Sequence, residues 1–300
     1  MSDPRGLSLR PWTGEARDRM HAAGLDPDEV RRVVGRALDE DLRDGPDATT
    51  AATVPAGARG TATLTARQPG VLAGIVVVAA VLEAALEEAE LEVRHPDGAE
   101  IVPGTVALTV TGTVRDLLTV ERTVLNLTCH LSGIATVTRS WVRAVAGTGC
   151  RIRDTRKTLP GLRALQKYAV RCGGGTNHRM SLGDAVLIMD IHVAVAGSVT
   201  AAMAAARRTA GHLPMEVEVD TADQLAEAVA AGADLVLLDN WTAEQCAAGV
   251  ASVRGTGTRL EASGGLTLDT AGEYARTGVD FLAVGALTHS VHALDLGMDV

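Results

Sequence analysis

The chain has 300 residues, of which 46% are hydrophobic and 22% are charged, and its formal net charge at pH 7 is −9. This is the composition of a globular protein with one or two domains and a large core. Aromatic residues make up only 2% of the chain, so the stacking faces that proteins use to bind single-stranded nucleic acid are missing. The acidic balance also argues against a broad polyanion-binding surface, and we predict no nucleic-acid partner.

The N-terminal sequence MSDPRGLSLRPW lacks the continuous apolar stretch of a secretory signal. The most apolar segment, residues 71–82, is shorter than the roughly 20 residues that cross a bilayer, and it continues into a run of glutamates. The four cysteines show neither a CxxC pair nor zinc-like spacing, which indicates buried or reduced thiols. These features predict a cytoplasmic protein with no membrane partner.

The first 125 residues predict an α+β domain. Residues 27–42 and 75–89 have helical patterns, while residues 60–67 and 106–114 alternate between apolar and polar side chains, as half-buried antiparallel strands do. A long helix is predicted next, over residues 118–146.

From residue 150 onward, short apolar runs alternate with helical stretches, and the spacing of about 20–25 residues fits βα units joined by right-handed crossovers. Helical segments 222–232 and 268–278 each close at a glycine, which suits a left-handed cap. Six strands predict an α/β barrel that is complete or one or two units short, and a doubly wound open sheet is the alternative. The predicted strands are 150–154, 185–190, 215–220, 235–240, 259–265 and 281–286.

Polar residues at the strand ends favour the barrel, because the C-terminal ends of barrel strands and their loops build the active site. Such residues are Asp154, Asp190, Asp220, Asp239, Asn240 and Ser263. Glu218 differs from them because it lies inside an apolar strand, on the same face as Glu216. Two acids that face into a barrel need a cation, a hydroxyl-rich ligand or shifted pKa values.

Residues 151–179 contain eight basic residues and one acid, Asp154. A solvated helical face is the simplest explanation for Arg163, Lys167 and Arg171. It does not explain the basic residues that directly follow a strand or a run of three glycines, which are Arg156, Lys157, His178 and Arg179. Cations concentrated at strand ends in an acidic protein indicate a small, multiply charged anion as the ligand.

Two glycine-containing segments follow the last two predicted strands, EASGGL (261–266) and VGALT (284–288). In barrels these loops often bind a phosphate group through backbone N–H donors, so the segments predict a phosphate site at Ser263, Gly264, Gly265 and Gly285. A GxGxxG motif after a strand is absent, and a dinucleotide site lacks support. Glu218 and Asp239 are candidates to hold Mg²⁺ through a substrate phosphate.

With these residues in view, the chain resembles the quinolinate phosphoribosyltransferase family over almost its whole length. The matching segments are 38–50, 121–136, 153–188, 216–220, 237–240, 261–265 and 284–290. The resemblance implies an N-terminal α+β, sandwich-like domain and an incomplete α/β barrel of the type II phosphoribosyltransferase kind. We place these domains at residues 1–125 and 126–287, with 288–300 packing back on the first.

The resemblance further implies conversion of quinolinate and phosphoribosyl pyrophosphate into nicotinate mononucleotide, pyrophosphate and CO₂, with Mg²⁺ as cofactor. The implied assembly is a homodimer with a shared active site, or a hexamer. Carried over by position, the residues that hold the quinolinate carboxylates would be Arg122, Arg156, His178 and Arg179. Arg122 would reach into the partner subunit's site.

The resemblance also assigns catalytic roles to three residues. Lys157 would bind quinolinate or diphosphate oxygens, while Glu218 and Asp239 would contact the ribose hydroxyls and Mg²⁺. The residues that would hold the 5′-phosphate are Ser263, Gly264, Gly265 and Gly285.

One segment departs from the family pattern. Where the family usually reads LIKDNH, this chain has LIMDIH at residues 187–192, so Met189 stands in place of a substrate-contacting lysine and Ile191 in place of an asparagine. Loss of a cation that faces an anion costs a few kcal/mol, on the order of 10²-fold in rate. The departure predicts reduced activity or a shifted substrate preference. The alternatives are a paralogue that acts on another heterocyclic carboxylate and a weakly active or inactive protein that binds phosphoribosyl ligands.

Overall fold

The computed structural model describes residues 7 and 9–299, which fall into two compact units. The first unit takes in the chain as far as Val137, then Leu159–Gly174 and the residues from Ser290 onward. The second unit consists of Thr138–Thr158 and Gly175–His289.

The first unit contains a four-stranded antiparallel sheet with the strand order β12-β1-β5-β3. Its strands are β1 (Arg59–Ala66), β3 (Glu90–Val93), β5 (Val106–Thr113) and β12 (Leu296–Asp299), and β2 (Gly70–Val71) pairs separately with β4 (Glu100–Ile101). Buried residues alternate with more exposed ones along most of β1 and β5, because successive side chains of a strand point to opposite faces. The strands predicted at 60–67 and 106–114 are confirmed.

The helices that belong wholly to the first unit are α1 (Gly14–Ala22), α2 (Pro27–Asp41), α3 (Ala48–Thr53), α4 (Ile75–Ala85) and α6 (Arg163–Cys172). Helix α2 begins where predicted, since Asp26 caps its N-terminus and Pro27 stands in its first turn. Helix α4 ends four residues before the predicted residue 89, because the backbone turns extended at Leu86. The long helix predicted at 118–146 is α5 (Val114–Ala144), which starts directly after β5.

Helix α6 overturns one expectation about the basic segment. Lys167 was predicted to lie on a solvated face, but its side chain is 0% exposed, as are those of Gln166, Ala169 and Val170 around it. The prediction is wrong because α6 is buried around its circumference from Leu165 to Val170, so the helix has no fully wet face at this level.

The second unit contains six parallel strands in the order β6-β11-β10-β9-β8-β7. They are β6 (Arg151–Arg153), β7 (Val186–Ile188), β8 (Met215–Val219), β9 (Leu235–Asp239), β10 (Arg259–Ser263) and β11 (Phe281–Ala283). Strands β7 to β11 are neighbours in sequence order, and β6 lies beside β11. A doubly wound sheet would reverse its order at the middle, so that alternative is wrong. Within the described residues no ladder joins β6 to β7, and the barrel is therefore incomplete.

The helices of the second unit are α7 (Asp190–Ala196), α8 (Val199–Ala210), α9 (Ala222–Ala230), α10 (Ala243–Ser252), α11 (Leu268–Arg276) and α12 (Ala286–His289). Threonines at 221, 242 and 267 cap α9, α10 and α11. The predicted glycine caps are confirmed, since Gly232 and Gly278 have φ values of 76° and 96°. Because all six strands are parallel, their carboxyl ends lie at one edge of the sheet.

No helix in the described part of the chain is long and apolar enough to cross a membrane.

Candidate active site

Four carboxylates gather at the carboxyl ends of β7, β8 and β9: Asp190, Glu218, Asp220 and Asp239. Glu218 is half-buried on β8, and burial, followed by the charges of Asp239, Asp190 and Asp220, raises its pKa to about 7. Burial and Asp220 also raise the pKa of Asp239, while the ammonium of Lys157 acts in the opposite direction. The cluster therefore has an excess of negative charge that a further cation would relieve.

Mg²⁺ binds through one or two carboxylates, usually together with the phosphate of a substrate. A bound cation would also reduce the repulsion within this cluster. The predicted ligands Glu218 and Asp239 thus have the chemistry that the ion requires. Lys157 is close enough to act on the pKa of Asp239, which brings all three predicted catalytic residues to one edge of the sheet.

Asp239 is oriented by the residue that follows it. Asn240 adopts a φ of 59°, and its side-chain amide donates to the Asp239 carboxylate over 2.6 Å. The turn fits tightly against the next strand, because a Cβ built on Gly264 would overlap Oδ1 of Asn240 and lie 3.0 Å from its backbone nitrogen. Gly264 itself has a φ of 89°. The predicted phosphate loop and Asp239 are therefore coupled through Asn240.

Gly264→Ala is expected to destabilise the protein by about 2–4 kcal/mol, because it combines a left-handed backbone with a steric overlap. Chemical unfolding measures the change. The matched control is Gly265→Ala, since Gly265 also has a positive φ, 61°, but a Cβ added to it would meet nothing within 4 Å. The control is expected to cost about 1–2 kcal/mol. Equal losses in the two variants would show that the contact with Asn240 is unimportant.

The rest of the predicted phosphate rim lies at the ends of β10 and β11. Ser263 is the last residue of β10, and Gly285 follows β11. A Cβ on Gly285 would lie 2.9 Å from Cδ of Lys157, so the glycine allows the lysine to pass close to this loop. The hydroxyl of Thr288 donates to the Lys157 carbonyl over 2.8 Å, which ties the two loops together.

Arg156 and Arg179 are neighbouring cations that are suited to bind an anion. In each guanidinium the Nε atom is buried and has no hydrogen-bond partner in the described structure. Arg179 donates through Nη1 to the carbonyl of Ala185 over 3.1 Å, and burial, followed by the neighbouring Arg156, lowers its pKa. Two forked donors that repel each other suit a ligand with carboxylate groups.

His178 lies beside this pair in a loop that Asp154 holds. Asp154 is fully buried and accepts hydrogen bonds from the backbone N–H of His178 (2.8 Å) and from the side chain of Asn177 (2.5 Å). The imidazole is itself buried, with Nε2 2.9 Å from Oε2 of Glu216. Sequence reasoning noted Asp154 only as a polar strand end, whereas the structure shows that it organises the loop carrying two predicted binding residues.

Sequence reasoning also missed a network of buried charged side chains inside the barrel, between β6, β8 and β10. Nη1 of Arg153 lies 2.5 Å from Glu261 Oε2 and 3.5 Å from Glu216 Oε2. Ligand atoms of His178, Glu216 and Glu261 lie within 4.8 Å of one another, as in a metal site, but the guanidinium of Arg153 already supplies the positive charge there. A charged residue at an inward-facing position of a short apolar strand, such as Glu261 on β10, was the available signal.

The residues that depart from the family pattern lie at the start of α7. Met189 is half-buried and donates its backbone N–H to Nδ1 of His192 over 2.9 Å, while Ile191 is 59% exposed. Among the predicted site residues, Arg122 is the exception in belonging to the first unit. It lies on α5 with its side chain 62% exposed, 3.8 Å from Glu121.

Comparisons of the sequence and of the structure with known proteins all point to one enzyme family. Family models for the C-terminal and N-terminal domains of quinolinate phosphoribosyl transferase match residues 134–299 and 47–132. The carboxylating nicotinate-nucleotide pyrophosphorylase of Mycobacterium leprae is 54% identical over 277 residues, covering 91% of this chain and 98% of the relative.

Two solved structures are also similar. NadC from Streptococcus pyogenes superposes with a TM-score of 0.88 at 38% identity, covering 92% of this chain and 97% of that one. The nicotinate-nucleotide pyrophosphorylase from Francisella tularensis gives a TM-score of 0.85 at 37% identity, with coverages of 92% and 97%.

Proposed function

The chain belongs to the quinolinate phosphoribosyltransferase family, and we propose that the arginine pair and the acidic cluster of its second unit perform the family's reaction. The enzyme is a pentosyltransferase of NAD biosynthesis. It converts quinolinate and phosphoribosyl pyrophosphate into nicotinate mononucleotide, pyrophosphate and CO₂. The single observation that carries the residue assignment is that Arg156 and Arg179 are neighbouring cations whose buried Nε donors have no hydrogen-bond partner among the described residues.

Quinolinate has two carboxylates on adjacent ring positions, which calls for two planar, forked donors in fixed positions. Arg156 and Arg179 fit this requirement. Because aromatic residues are scarce, binding through the carboxylates is favoured over stacking on the face of the ring. The ring nitrogen then attacks the ribose carbon as pyrophosphate leaves.

Phosphoribosyl pyrophosphate would extend from the glycine rim to the acidic cluster. Backbone N–H groups near Ser263, Gly264, Gly265 and Gly285 would hold its 5′-phosphate, and Glu218 and Asp239 would contact the ribose hydroxyls. Glu218 and Asp239 would also hold Mg²⁺, which when bound neutralises charge on the pyrophosphate group. Lys157, beside Asp239 and Gly285, would bind diphosphate or quinolinate oxygens.

The acids also suit the displacement step. Departure of pyrophosphate develops oxocarbenium character at the ribose carbon, which carboxylates fixed nearby stabilise. Once the ring nitrogen carries the ribose it is cationic, so it stabilises the electron pair that stays on the adjacent carbon when CO₂ leaves, and that carbon then takes a proton from water. That step needs little acid–base assistance from the protein.

We also propose that the active site is shared between two subunits. Arg122 is exposed on the first unit, and with Arg67, Asn126 and Asp295 it lines a cavity of about 460 Å³. We propose that a homodimer, or a hexamer of such dimers, places this arginine in the partner subunit's site. All four cysteines are free thiols, which supports a reducing, cytoplasmic location.

The similarity to carboxylating relatives favours the quinolinate reaction over a paralogue with another substrate and over an inactive binding protein. Met189 nevertheless places a neutral thioether next to Asp190, a member of the acidic cluster. Met189→Lys is expected to raise kcat/KM for quinolinate about tenfold, because an added cation faces a dianionic substrate. Steady-state kinetics measure the gain, with Val195→Lys on the exposed side of α7 as the control. An unchanged kcat/KM would refute this account of Met189.

The proposed assignment is tested by titration calorimetry with quinolinate and with nicotinate, which lacks one carboxylate. Quinolinate is expected to bind at least tenfold more tightly, because nicotinate leaves one guanidinium unpaired. Equal affinities for the two ligands would contradict the assignment of Arg156 and Arg179 to two carboxylates.

A further inference from the structure

The imidazole of His178 has both ring nitrogens engaged within the protein. Nδ1 accepts the backbone N–H of Arg179 over 2.7 Å, and Nε2 lies 2.9 Å from Oε2 of Glu216. A ring nitrogen that accepts an N–H bond carries no proton, so the proton is on Nε2, which donates it to the carboxylate.

Glu216 is held on rigid elements. Its side chain on β8 is only 5% exposed, and Arg153 from β6 lies 3.5 Å away while pairing more closely with Glu261 from β10. Three strands of the barrel thus fix one carboxylate oxygen, which fixes the imidazole, which in turn fixes the backbone N–H of Arg179. Side chains that orient a binding residue in this way commonly determine its affinity for substrate.

We propose that Glu216 is a positioning residue for the quinolinate reaction, acting through His178 to place the guanidinium of Arg179. The proposal rests on the proposed function, in which Arg179 binds a quinolinate carboxylate. It assigns His178 a role different from the one that the family resemblance implies, since the ring orients the loop and does not donate to the substrate.

Other groups around the ring are compatible with this role. Asp154 holds the same loop from its backbone side, at His178 N and Asn177 Nδ2, so the loop stays anchored when Glu216 is changed. Arg153 keeps its shorter pairing with Glu261 in that case. Loss of the Glu216 carboxylate is therefore expected to loosen the imidazole and Arg179 without unfolding the unit.

The first test uses the unmodified enzyme. Two-bond ¹H–¹⁵N spectra of protein labelled at histidine report the tautomer of each ring, and the loss of one signal set in His178→Gln assigns His178. We expect Nε2 protonated and Nδ1 bare at about neutral pH. A ring protonated on Nδ1, or on both nitrogens, would overturn the proposal. This result does not depend on turnover, so an enzyme without activity toward quinolinate would count against the proposed function alone.

The second test is a double-mutant cycle on kcat/KM. Glu216→Leu, which removes the acceptor oxygen, and His178→Asn are each expected to lower kcat/KM for quinolinate about tenfold through KM, with KM for phosphoribosyl pyrophosphate unchanged within about twofold. Because Glu216 acts through His178, the double variant is expected to lose no more than either single variant. Asp234→Asn is the control, since Asp234 lines, with His178 and Glu216, a cavity of about 380 Å³ that reaches the amino ends of β8 and β9, and it makes no hydrogen bond or ion pair with the ring.

Multiplying losses in the double variant would show that Glu216 acts independently of His178 and would overturn the proposal. An equal loss in Asp234→Asn would do the same, because it would reveal a general electrostatic effect of the cavity.

Discussion

Arg156→Met is expected to lower kcat/KM for quinolinate by about 10²–10³-fold, because removal of one cation that faces a buried carboxylate costs about 3–4 kcal/mol. The loss should fall on the quinolinate KM and on kcat, with the KM for phosphoribosyl pyrophosphate little changed. Steady-state kinetics with each substrate varied in turn measure it. A loss confined to the phosphoribosyl pyrophosphate KM would contradict the assignment of Arg156 to quinolinate.

The stability of the same variant separates a binding role from a structural one. The charge of Arg156 disfavours the cation of Arg179, and the Nε of each is buried without a hydrogen-bond partner among the residues that the structure describes. Arg156→Met is therefore expected to unfold at the same temperature as the unmodified protein or slightly above it. Arg156→Lys is expected to restore only part of the activity, because an ammonium cannot form the two parallel bonds of a guanidinium. Arg208→Lys, on the exposed side of α8, is the neutral control.

Glu218→Gln is expected to lower kcat by about 10²–10³-fold. The same variant is expected to have a higher melting temperature than the unmodified protein when both are measured above pH 7. Activity falls because the amide neither stabilises positive charge at the ribose carbon nor contributes to a cation site. Stability rises because partial burial and the charges of Asp239, Asp190 and Asp220 disfavour the ionised carboxylate and raise its pKa to about 7. After allowance for solvent screening, the gain corresponds to about 1–2 kcal/mol, or roughly 2–4 °C.

The pH dependence has a definite sign. Because the folded-state pKa of Glu218 lies above its ordinary value of 4.5, ionisation of this group destabilises the folded protein, and the penalty grows as the pH rises from 4.5 through 7. Calorimetric scans of Glu218→Gln should show a gain that is greatest above about pH 7 and disappears toward pH 4.5. In the unmodified enzyme the apparent affinity for Mg²⁺ should fall as the pH is lowered through 7. Glu273→Gln, on the exposed surface of α11, should show neither effect. A stability gain that does not vary with pH would refute the electrostatic explanation.

Much of the fold could be predicted because its signals are local. Alternation along 60–67 and 106–114, the proline and aspartate at the start of α2, and the glycines at 232 and 278 each determine the backbone over a few residues. The strand order required a further argument from polar strand ends. The end of α4 and the burial of Lys167 were missed, since both depend on packing against residues distant in sequence.

Only some residues of the candidate site could likewise be predicted from the sequence. Residues at or near the carboxyl ends of strands, such as Lys157, Glu218 and Asp239, could be located because parallel strands place those ends at one edge of the sheet. Arg153 and Glu261 could not be paired from the sequence, since they are 108 residues apart and meet only inside the barrel. The role of Asn240 was equally hidden, because it depends on a left-handed backbone and on the missing side chain of Gly264.

The central claim is that this chain transfers a phosphoribosyl group to quinolinate with loss of one carboxylate. The most direct measurement supplies quinolinate labelled in its carboxyl groups, together with phosphoribosyl pyrophosphate and Mg²⁺, and follows CO₂ and pyrophosphate in the same reaction. The account predicts equal amounts of CO₂, pyrophosphate and nicotinate mononucleotide. Pyrophosphate release without CO₂, or turnover only with another heterocyclic carboxylate, would contradict it.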